Sequence, residues 1–277
     1  MIKVANNAGF CFGVERAVNL AYQNSHLQNT VTLGPIIHNS HVIEKLKNCG
    51  VTTVDDIDET IENVIIRSHG VAKEFYDKAS KLGINVIDAT CPYVAIIHKL
   101  VKQNMHKCVI IIGEANHPEV IGINGWANNN CLIVKDSDDI KNRELIRDKK
   151  YFVVAQTTYK QEVVDKVLEC LKGYDYEYAK TICSATLKRQ QEAVKLAQEV
   201  DIMFIIGSKF SSNTQKLFEV CQEVCPKSYC IEDANGLDDI SFSNKLEIGI
   251  TAGASTPANI IDDVIKRIEN GRKDYGL

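Results

Sequence analysis

Residues 86–101 read Val-Ile-Asp-Ala-Thr-Cys-Pro-Tyr-Val-Ala-Ile-Ile-His-Lys-Leu-Val, and this stretch decides the fold class. A strand-like segment that begins with two β-branched residues comes first, followed by Cys91 and a proline. Val94, Ile97 and Val101 then recur at the spacing of one face of an amphipathic helix, whose first turn readily accepts proline. The stretch therefore predicts a strand followed directly by a helix, with a cysteine at the junction.

The same junction occurs twice more. Val4-Ala-Asn-Asn-Ala-Gly-Phe-Cys11 precedes apolar residues at helical spacing from Val14 to Ala21, and Tyr178-Ala-Lys-Thr-Ile-Cys183 precedes a similar set from Ala193 to Val200. Gly34, Gly113 and Gly207 end apolar runs 23, 22 and 24 residues after the three cysteines, and four residues beyond them stand His38, His117 and Ser211. A second strand-to-helix junction follows in each unit, at His69, at Thr157 with Thr158, and at Ser255. The sequence thus repeats one unit three times.

Alternating strand and helix patterns predict an α/β fold with parallel sheets. We expect three α/β domains around a pseudo-threefold axis, with boundaries at 12–91, 92–182 and 183–277. Because Cys11 ends a strand at the N-terminus, residues 1–11 are expected to complete the third domain. Ligands of α/β proteins bind at the carboxyl ends of parallel strands, so the junctions should converge on one central cavity.

Composition excludes several classes of protein. The net charge of −4 and the pI near 6.0 do not favour nucleic-acid binding, which usually needs a basic surface. No apolar run approaches the ~20 residues of a membrane span, and the N-terminus lacks the pattern of a secretory signal. We therefore expect a cytoplasmic protein whose ten cysteines stay reduced.

Three cysteines at equivalent junctions suggest a shared metal centre. Each precedes a helix, where the macrodipole favours a thiolate, and thiolates bind an iron–sulfur cluster or zinc. No Cys-x-x-Cys pair, typical of zinc sites, is present. Three ligands on a four-iron cubane would leave one iron open for substrate. A second metal site at Cys221, Cys225 and Cys230 is conceivable, although no histidine or fourth cysteine lies nearby.

The polar residues at the junctions suit an anion. His38, His69 and His117 fall at repeat-equivalent positions and, with hydroxyl side chains and helix N-termini, fit a diphosphate group. His26, His98 and His106 are interpreted as structural residues in loops or on helix surfaces. Glu119 is the single carboxylate among these residues and is expected in the first turn of a helix. Since the helix dipole there favours the ionised form, desolvation beside the cluster or the charge of the diphosphate would have to raise its pKa for a role as an acid.

Nine segments resemble one family. They are Gly9-Phe-Cys-Phe-Gly-Val14, Gly34-Pro-Ile-Ile-His-Asn39, Ser68-His-Gly-Val71, Asp88-Ala-Thr-Cys-Pro92, His117-Pro-Glu-Val120, Gln156-Thr-Thr158, Thr181-Ile-Cys183, Gly207-Ser208 with Ser211-Ser-Asn-Thr214, and Thr251-Ala-Gly-Ala-Ser255. In this order they resemble the 4-hydroxy-3-methylbut-2-enyl diphosphate reductases, also called the LytB or IspH family. The resemblance covers residues 9 to 257, and the motifs together are highly specific.

The resemblance implies a trefoil of three α/β domains around one [4Fe–4S] cluster per chain. Cys11, Cys91 and Cys183 would be the ligands, with one iron open. The diphosphate would be held by seven residues: His38, His69, His117, Ser211, Ser212, Asn213 and Ser255. Glu119 would deliver a proton, and Thr157, aided by Thr158, would position the substrate hydroxyl. The reaction implied is reductive dehydroxylation of (E)-4-hydroxy-3-methylbut-2-enyl diphosphate to isopentenyl and dimethylallyl diphosphates, the last step of the non-mevalonate pathway.

Other functions share part of this pattern. A non-redox iron–sulfur hydro-lyase acting on a small phosphorylated substrate would use the same cysteines and anion site. A cluster-containing sensor would bind without turnover, and a structural zinc protein would lack iron. Gly-x-Gly-x-x-Gly and Gly-x-x-x-x-Gly-Lys segments are absent, so a nicotinamide site and a P-loop are not expected. Electrons should come from a separate ferredoxin or flavodoxin.

Overall fold

Every strand in the described part of the chain belongs to a four-stranded parallel sheet. The computed structural model describes residues 1–238, 240 and 245–274. Its strands are β1 (Ile2–Val4), β2 (Thr30–Leu33), β3 (Thr52–Val54), β4 (Asn63–Ile66), β5 (Asn85–Asp88), β6 (Cys108–Ile112), β7 (Leu132–Val134), β8 (Lys150–Ala155), β9 (Asp175–Tyr178), β10 (Ile202–Ile206), β11 (Ser228–Ile231) and β12 (Ile248–Ala252). Its helices are α1 (Phe12–Gln23), α2 (Ser40–Asn48), α3 (Lys73–Leu82), α4 (Pro92–Gln103), α5 (Pro118–Gly125), α6 (Ser137–Lys141), α7 (Gln161–Cys170), α8 (Ser184–Ala197), α9 (Ser212–Gln222) and α10 (Ala258–Asp274).

The three sheets share one strand order. They run β3-β2-β4-β5, β7-β6-β8-β9 and β11-β10-β12-β1. In the third sheet the N-terminal strand takes the place that β5 and β9 take in the others, with Ile2 paired to Ile248. The predicted α/β class with parallel sheets is confirmed. The three domain boundaries at 12–91, 92–182 and 183–277 with 1–11 stay a prediction.

The described chain forms two compact units. The middle unit comprises residues 13–37 and 41–183 and contains the first two sheets. The terminal unit comprises residues 1–12, 38–40 and the described residues from 184 onward, and it contains the third sheet. Among the residues that the structure describes, no helix has the length and apolarity needed to cross a membrane.

The strands of the second sheet are apolar on both faces because helices cover both. On one face, Ile111 and Phe152 pack against apolar residues of α4 and α5. On the other face, Ile110 and Val153 pack against residues of α6 and α7. Continuous burial explains the unbroken β-branched run at the end of β6, since parallel strands covered on both sides have no solvent-facing positions.

The third sheet is also covered on both faces. Met203 and Ile205 pack against α8 and α9, while Phe204 and Ile206 pack against α10. Cys221 and Cys225 belong to the core beside α8, and burial raises the pKa of Cys221 to about 12. With Cys230 they do not form a group of sulfur atoms within 4.8 Å of one another. The described residues therefore give no support to the second metal site considered from the sequence.

His98 differs from its predicted position on a helix surface. Its side chain is buried on the inner face of α4, and its ring stacks on Trp126 with 5.4 Å between centroids. The Nε1 group of Trp126 donates to the carbonyl of Val71 over 2.9 Å, which joins the segments of the two sheets in the middle unit. His98 is thus structural, as expected, but it belongs to the core. Position 98 lies at the edge of the buried helix face formed by residues 94, 97 and 101, and at such an edge the sequence spacing does not tell whether a side chain is buried.

Candidate active site

Each junction cysteine is held by the same backbone hydrogen bond. Its amide donates to a carbonyl in the loop after a neighbouring strand: Cys11 to Ala254 (3.4 Å), Cys91 to Ser68 (2.9 Å) and Cys183 to Thr157 (3.0 Å). Thr157 is itself a predicted substrate residue, and His69 and Ser255 directly follow the other two acceptors. Within its own unit, each predicted metal ligand therefore lies beside a loop predicted to bind substrate.

The three cysteines occupy equivalent places at helix starts. Cys11 and Cys183 directly precede α1 and α8, and Cys91 caps the N-terminus of α4. None of the three forms a disulfide, and all three are only partly buried. Cysteine sulfur is the usual protein ligand of iron–sulfur clusters. The donor set on the chain thus fits an iron–sulfur cluster.

Gly13 lets a helix approach the sulfur of Cys91. A Cβ atom at position 13 would lie 2.5 Å from Cys91 Sγ and 3.2 Å from Cys91 Cβ. The amide of Cys91 is fixed by its bond to Ser68, so its backbone cannot retreat easily. Any side chain larger than hydrogen at position 13 would therefore displace the thiol. The sequence alone did not reveal this requirement for glycine.

Gly13→Ala is expected to disturb the Cys91 thiol without unfolding the protein. The added methyl group should lower the free energy of unfolding of the iron-free protein by about 1–3 kcal/mol, as for other overpacked sites. Iron bound per chain after anaerobic purification should fall markedly. Gly271→Ala is the matched control, because it adds the same methyl group to a helix where nothing lies within 4 Å. Normal iron content in Gly13→Ala would contradict the proposed crowding.

Glu119 and Thr157 form a buried acid–hydroxyl pair. Glu119 lies in the first turn of α5 and Thr157 follows β8. Oε1 of Glu119 accepts the Thr157 amide over 2.6 Å, and Oε2 accepts the Thr157 hydroxyl over 2.7 Å. Burial raises the pKa of Glu119 from its ordinary 4.5 to about 7, although both hydrogen bonds from Thr157 act to lower it. Desolvation outweighs the helix dipole, and Glu119 can hold a proton near neutral pH.

The raised pKa of Glu119 predicts a loss of stability as the pH rises. Below pH 4.5 the carboxyl is protonated in both the folded and the unfolded chain, so it costs nothing. Above pH 7 the folded chain must bear a buried charge, and the free energy of unfolding is then lower by about 3 kcal/mol. The glutamine of Glu119→Gln cannot ionise. Denaturant unfolding between pH 4.5 and 7 should therefore show this decline in the free energy of unfolding for the wild type but not for Glu119→Gln.

The matched control is Glu162→Gln. Glu162 occupies the first turn of α7 as Glu119 does in α5, but it is exposed, and a hydrogen bond from Lys166 lowers its pKa. This variant should keep the decline of the wild type above pH 4.5. Parallel curves for the wild type and Glu119→Gln would show that Glu119 is not protonated in the folded state.

His117 caps the N-terminus of α5. Its Nδ1 atom accepts the amide of Glu119 over 3.2 Å, which caps the helix. The proton of the neutral imidazole then lies on Nε2, which can donate to an anion. His69 packs edge-on against His117 with 5.5 Å between ring centroids. His69 and His117 belong to the middle unit, and the third predicted histidine, His38, belongs to the terminal unit and is partly buried.

The other predicted anion ligands meet within the terminal unit. Ser211 caps α9, and its hydroxyl lies 3.3 Å from that of Ser255. Ser212 and Asn213 form the first turn of α9 and are also buried. Oδ1 of Asn213 accepts the amide of Ala254, while Nδ2 is buried and has no hydrogen-bond partner among the described residues. A buried amide donor of this kind needs an acceptor, and an anion would supply one.

Gln156 is a residue whose role the sequence did not reveal. Its side chain is fully buried; Oε1 accepts the amide of Glu114, and Nε2 donates to the hydroxyl of Thr158. It therefore links the loop that carries His117 to the loop that carries Thr158. Its position directly before two predicted substrate residues was the only signal in the sequence.

Comparison with known proteins decides the family. Residues 2–269 match the family model described as LytB protein. The chain belongs to the LytB family. A relative from Clostridioides difficile named 4-hydroxy-3-methylbut-2-enyl diphosphate reductase is 44% identical over 278 residues, covering 97% of this chain and 99% of the relative. A Thermoanaerobacter relative of the same name is also 44% identical over 278 residues, covering 96% of each chain.

Solved structures agree with membership of the LytB family. A structure described as (E)-4-hydroxy-3-methyl-but-2-enyl diphosphate reductase, the terminal enzyme of the non-mevalonate pathway, is 42% identical, with a TM-score of 0.70 and coverage of 97% of this chain and 99% of the other. The corresponding reductase of Plasmodium falciparum is 28% identical, with a TM-score of 0.88 and coverage of 98% and 87%. The resemblance drawn from nine short motifs is confirmed over nearly the whole chain.

Proposed function

We propose that this chain reduces (E)-4-hydroxy-3-methylbut-2-enyl diphosphate to isopentenyl and dimethylallyl diphosphates, the last step of the non-mevalonate isoprenoid pathway. Its LytB relatives carry the name of this reductase. The observation that carries the proposal is the double role of Thr157. Its carbonyl accepts the Cys183 amide, while its amide and hydroxyl both donate to Glu119. A buried acid is thereby tied to a cysteine loop through one residue.

The proposed cofactor is one [4Fe–4S] cluster per chain, held by Cys11, Cys91 and Cys183, with one iron left open. The partly exposed cysteines at three helix starts support this assignment. When bound, the cluster would pass on electrons from the donor, two per turnover, and would offer a Lewis-acidic iron for breaking the C–O bond. The three α/β domains are proposed to surround it as a trefoil.

The substrate diphosphate is proposed to bind seven side chains. The set is His38, His69, His117, Ser211, Ser212, Asn213 and Ser255. The buried Nδ2 of Asn213 and the first turn of α9 support an anion in the terminal unit. The Nε2–H of His117 supports one in the middle unit. Thr157, with Thr158, is proposed to hold the substrate hydroxyl at the other end.

Glu119 is the proposed source of the proton that leaves with the hydroxyl group. The overall change takes up two electrons and two protons, and it releases water as the C–O bond breaks. Glu119 is protonated near neutral pH because burial raises its pKa to about 7. The Thr157 hydroxyl lies 2.7 Å from Oε2 of Glu119 and can relay that proton to the departing oxygen.

Electrons are proposed to come from a ferredoxin or flavodoxin in the cytoplasm. The decisive experiment mixes anaerobically purified protein with substrate and dithionite-reduced viologen, then measures viologen oxidation and both products. Turnover that requires reductant supports the reductase. Turnover without reductant would indicate the hydro-lyase. Bound iron without any turnover would indicate a sensor, and colourless protein that contains zinc would indicate a structural zinc site.

A further inference from the structure

A buried arginine holds the loop that carries Cys11. Arg189 lies on α8 with 4% of its surface exposed, and its Nη1 atom donates to the carbonyls of Gly9 (2.7 Å) and Ala252 (2.9 Å). Gly9 turns the chain with a φ of 94°, two residues before Cys11. Ala252 is the last residue of β12. One guanidinium therefore ties the Cys11 loop to the end of the strand that leads to Ser255.

The Cys91 loop is held in a similar way. Arg16 lies on α1, and its Nη1 and Nη2 atoms donate to the carbonyls of Thr90 and Asp88, each over 3.1 Å. Thr90 directly precedes Cys91, and its amide donates to the Asp88 side chain over 2.9 Å. Both loops thus receive a charged donor at backbone carbonyls within three residues of a cysteine.

The two arginines occupy related places in the repeat. Arg16 stands five residues after Cys11, and Arg189 stands six residues after Cys183. The helices after Cys11 and Cys183 thus fix the loops in front of Cys91 and Cys11 respectively. The positions five and six residues after Cys91 are isoleucines, and the Cys183 loop is held instead by Thr181, whose hydroxyl bonds both the amide and the carbonyl of Ala155.

We propose that Arg189 and Arg16 are positioning residues, which fix the backbone before Cys11 and Cys91 respectively so that each thiol is held for the cluster. This inference rests on the proposed function, because it takes these cysteines to be cluster ligands. Hydrogen bonds from a charged donor are about twice as strong as neutral ones. Lysine retains the charge, but it replaces the planar guanidinium, whose N–H groups point in fixed directions at both carbonyls, with a single rotatable ammonium group.

The test compares R189K and R16K with R267K as the matched control. Arg267 is exposed on α10 and pairs with Asp238, so its replacement should change neither loop. Amide hydrogen exchange is followed in full-length protein over segments 5–12 and 86–92. R189K should accelerate exchange about tenfold in the first segment only, and R16K in the second only. Both should release iron to a chelator faster than R267K.

Acceleration of a different loop by each variant distinguishes local positioning from general destabilisation. Residues 108–112 and 202–206 form buried strands of the middle and terminal units, away from both loops in the sequence, and each reports opening of its own unit. Equal acceleration of a loop and of the strand in its own unit, or unchanged exchange in both loops, would overturn the inference. If R189K does not accumulate as folded protein, R16K decides, since Arg16 is only half-buried. Wild-type protein without iron would refute the proposed function, yet the exchange pattern would still assign each arginine to its loop.

Discussion

Replacing Cys11, Cys91 or Cys183 with serine is expected to remove most of the bound iron and to reduce turnover by more than about a hundredfold, because losing a residue that merely orients a metal ligand already costs 10- to 100-fold. Each cysteine is at a helix start and bonded through its amide to a loop predicted to bind substrate, so the backbone holds its thiol in place. Iron and sulfide content, visible absorption and the viologen assay measure the effect.

Cys170→Ser is the control for this series. Cys170 is also free and partly buried, but it ends α7, and its sulfur lies 3.3 Å from the carbonyl of Lys166 one turn earlier. Its replacement should leave iron content and turnover unchanged. Full iron content and activity in any one of the three junction variants would refute its assignment as a ligand.

Glu119→Gln should reduce turnover by about a hundredfold or more while the iron content stays normal, since general acids typically contribute at least that factor. Glutamine can keep both contacts with Thr157, because Oε1 can accept the amide and the Thr157 hydroxyl can accept from Nε2. The variant therefore removes the proton and preserves the geometry. Single-turnover rates with pre-reduced protein measure the effect on the chemical step.

The pH profile gives a second readout for Glu119. With a pKa near 7, the wild-type rate should fall as the pH rises above 7, because the proton is lost. The residual rate of Glu119→Gln should not show this fall. Glu162→Gln should keep the wild-type profile, since Glu162 is exposed and ionised. A wild-type rate that stays constant above pH 7 would exclude Glu119 as the proton donor.

The repeat in the sequence predicted the architecture because its residue types and spacings depend on the local backbone conformation. Strand-length runs, glycines at near-equal offsets and apolar residues at helical spacing report local structure directly. The three sheets accordingly share one strand order, and all three junction cysteines make the same amide hydrogen bond. The polar residues at these junctions were found for the same reason.

Features that depend on distant partners left no such signal. Arg189 meets Gly9 across 180 positions of the sequence, and Arg16 meets Thr90 across 74. Gly13 has no visible reason to be glycine until Cys91 is placed beside it. The pKa of Glu119 depends on its burial, and its place in the first helical turn suggested the opposite shift. Tertiary packing determines these properties.

The pairing of β1 with β12 sets an order of events during synthesis. β1 can pair only after residues 248–250 have been synthesised, because Ile2–Val4 lie beside Ile248–Ile250. Closing so long a loop is slow and entropically costly, so this sheet is expected to assemble late. The backbone around Cys11 therefore cannot be fixed before β12 has left the ribosome. Cofactor loading is expected to follow that step, and a product that stops short of β12 would lack one ligand site however well its middle part folds.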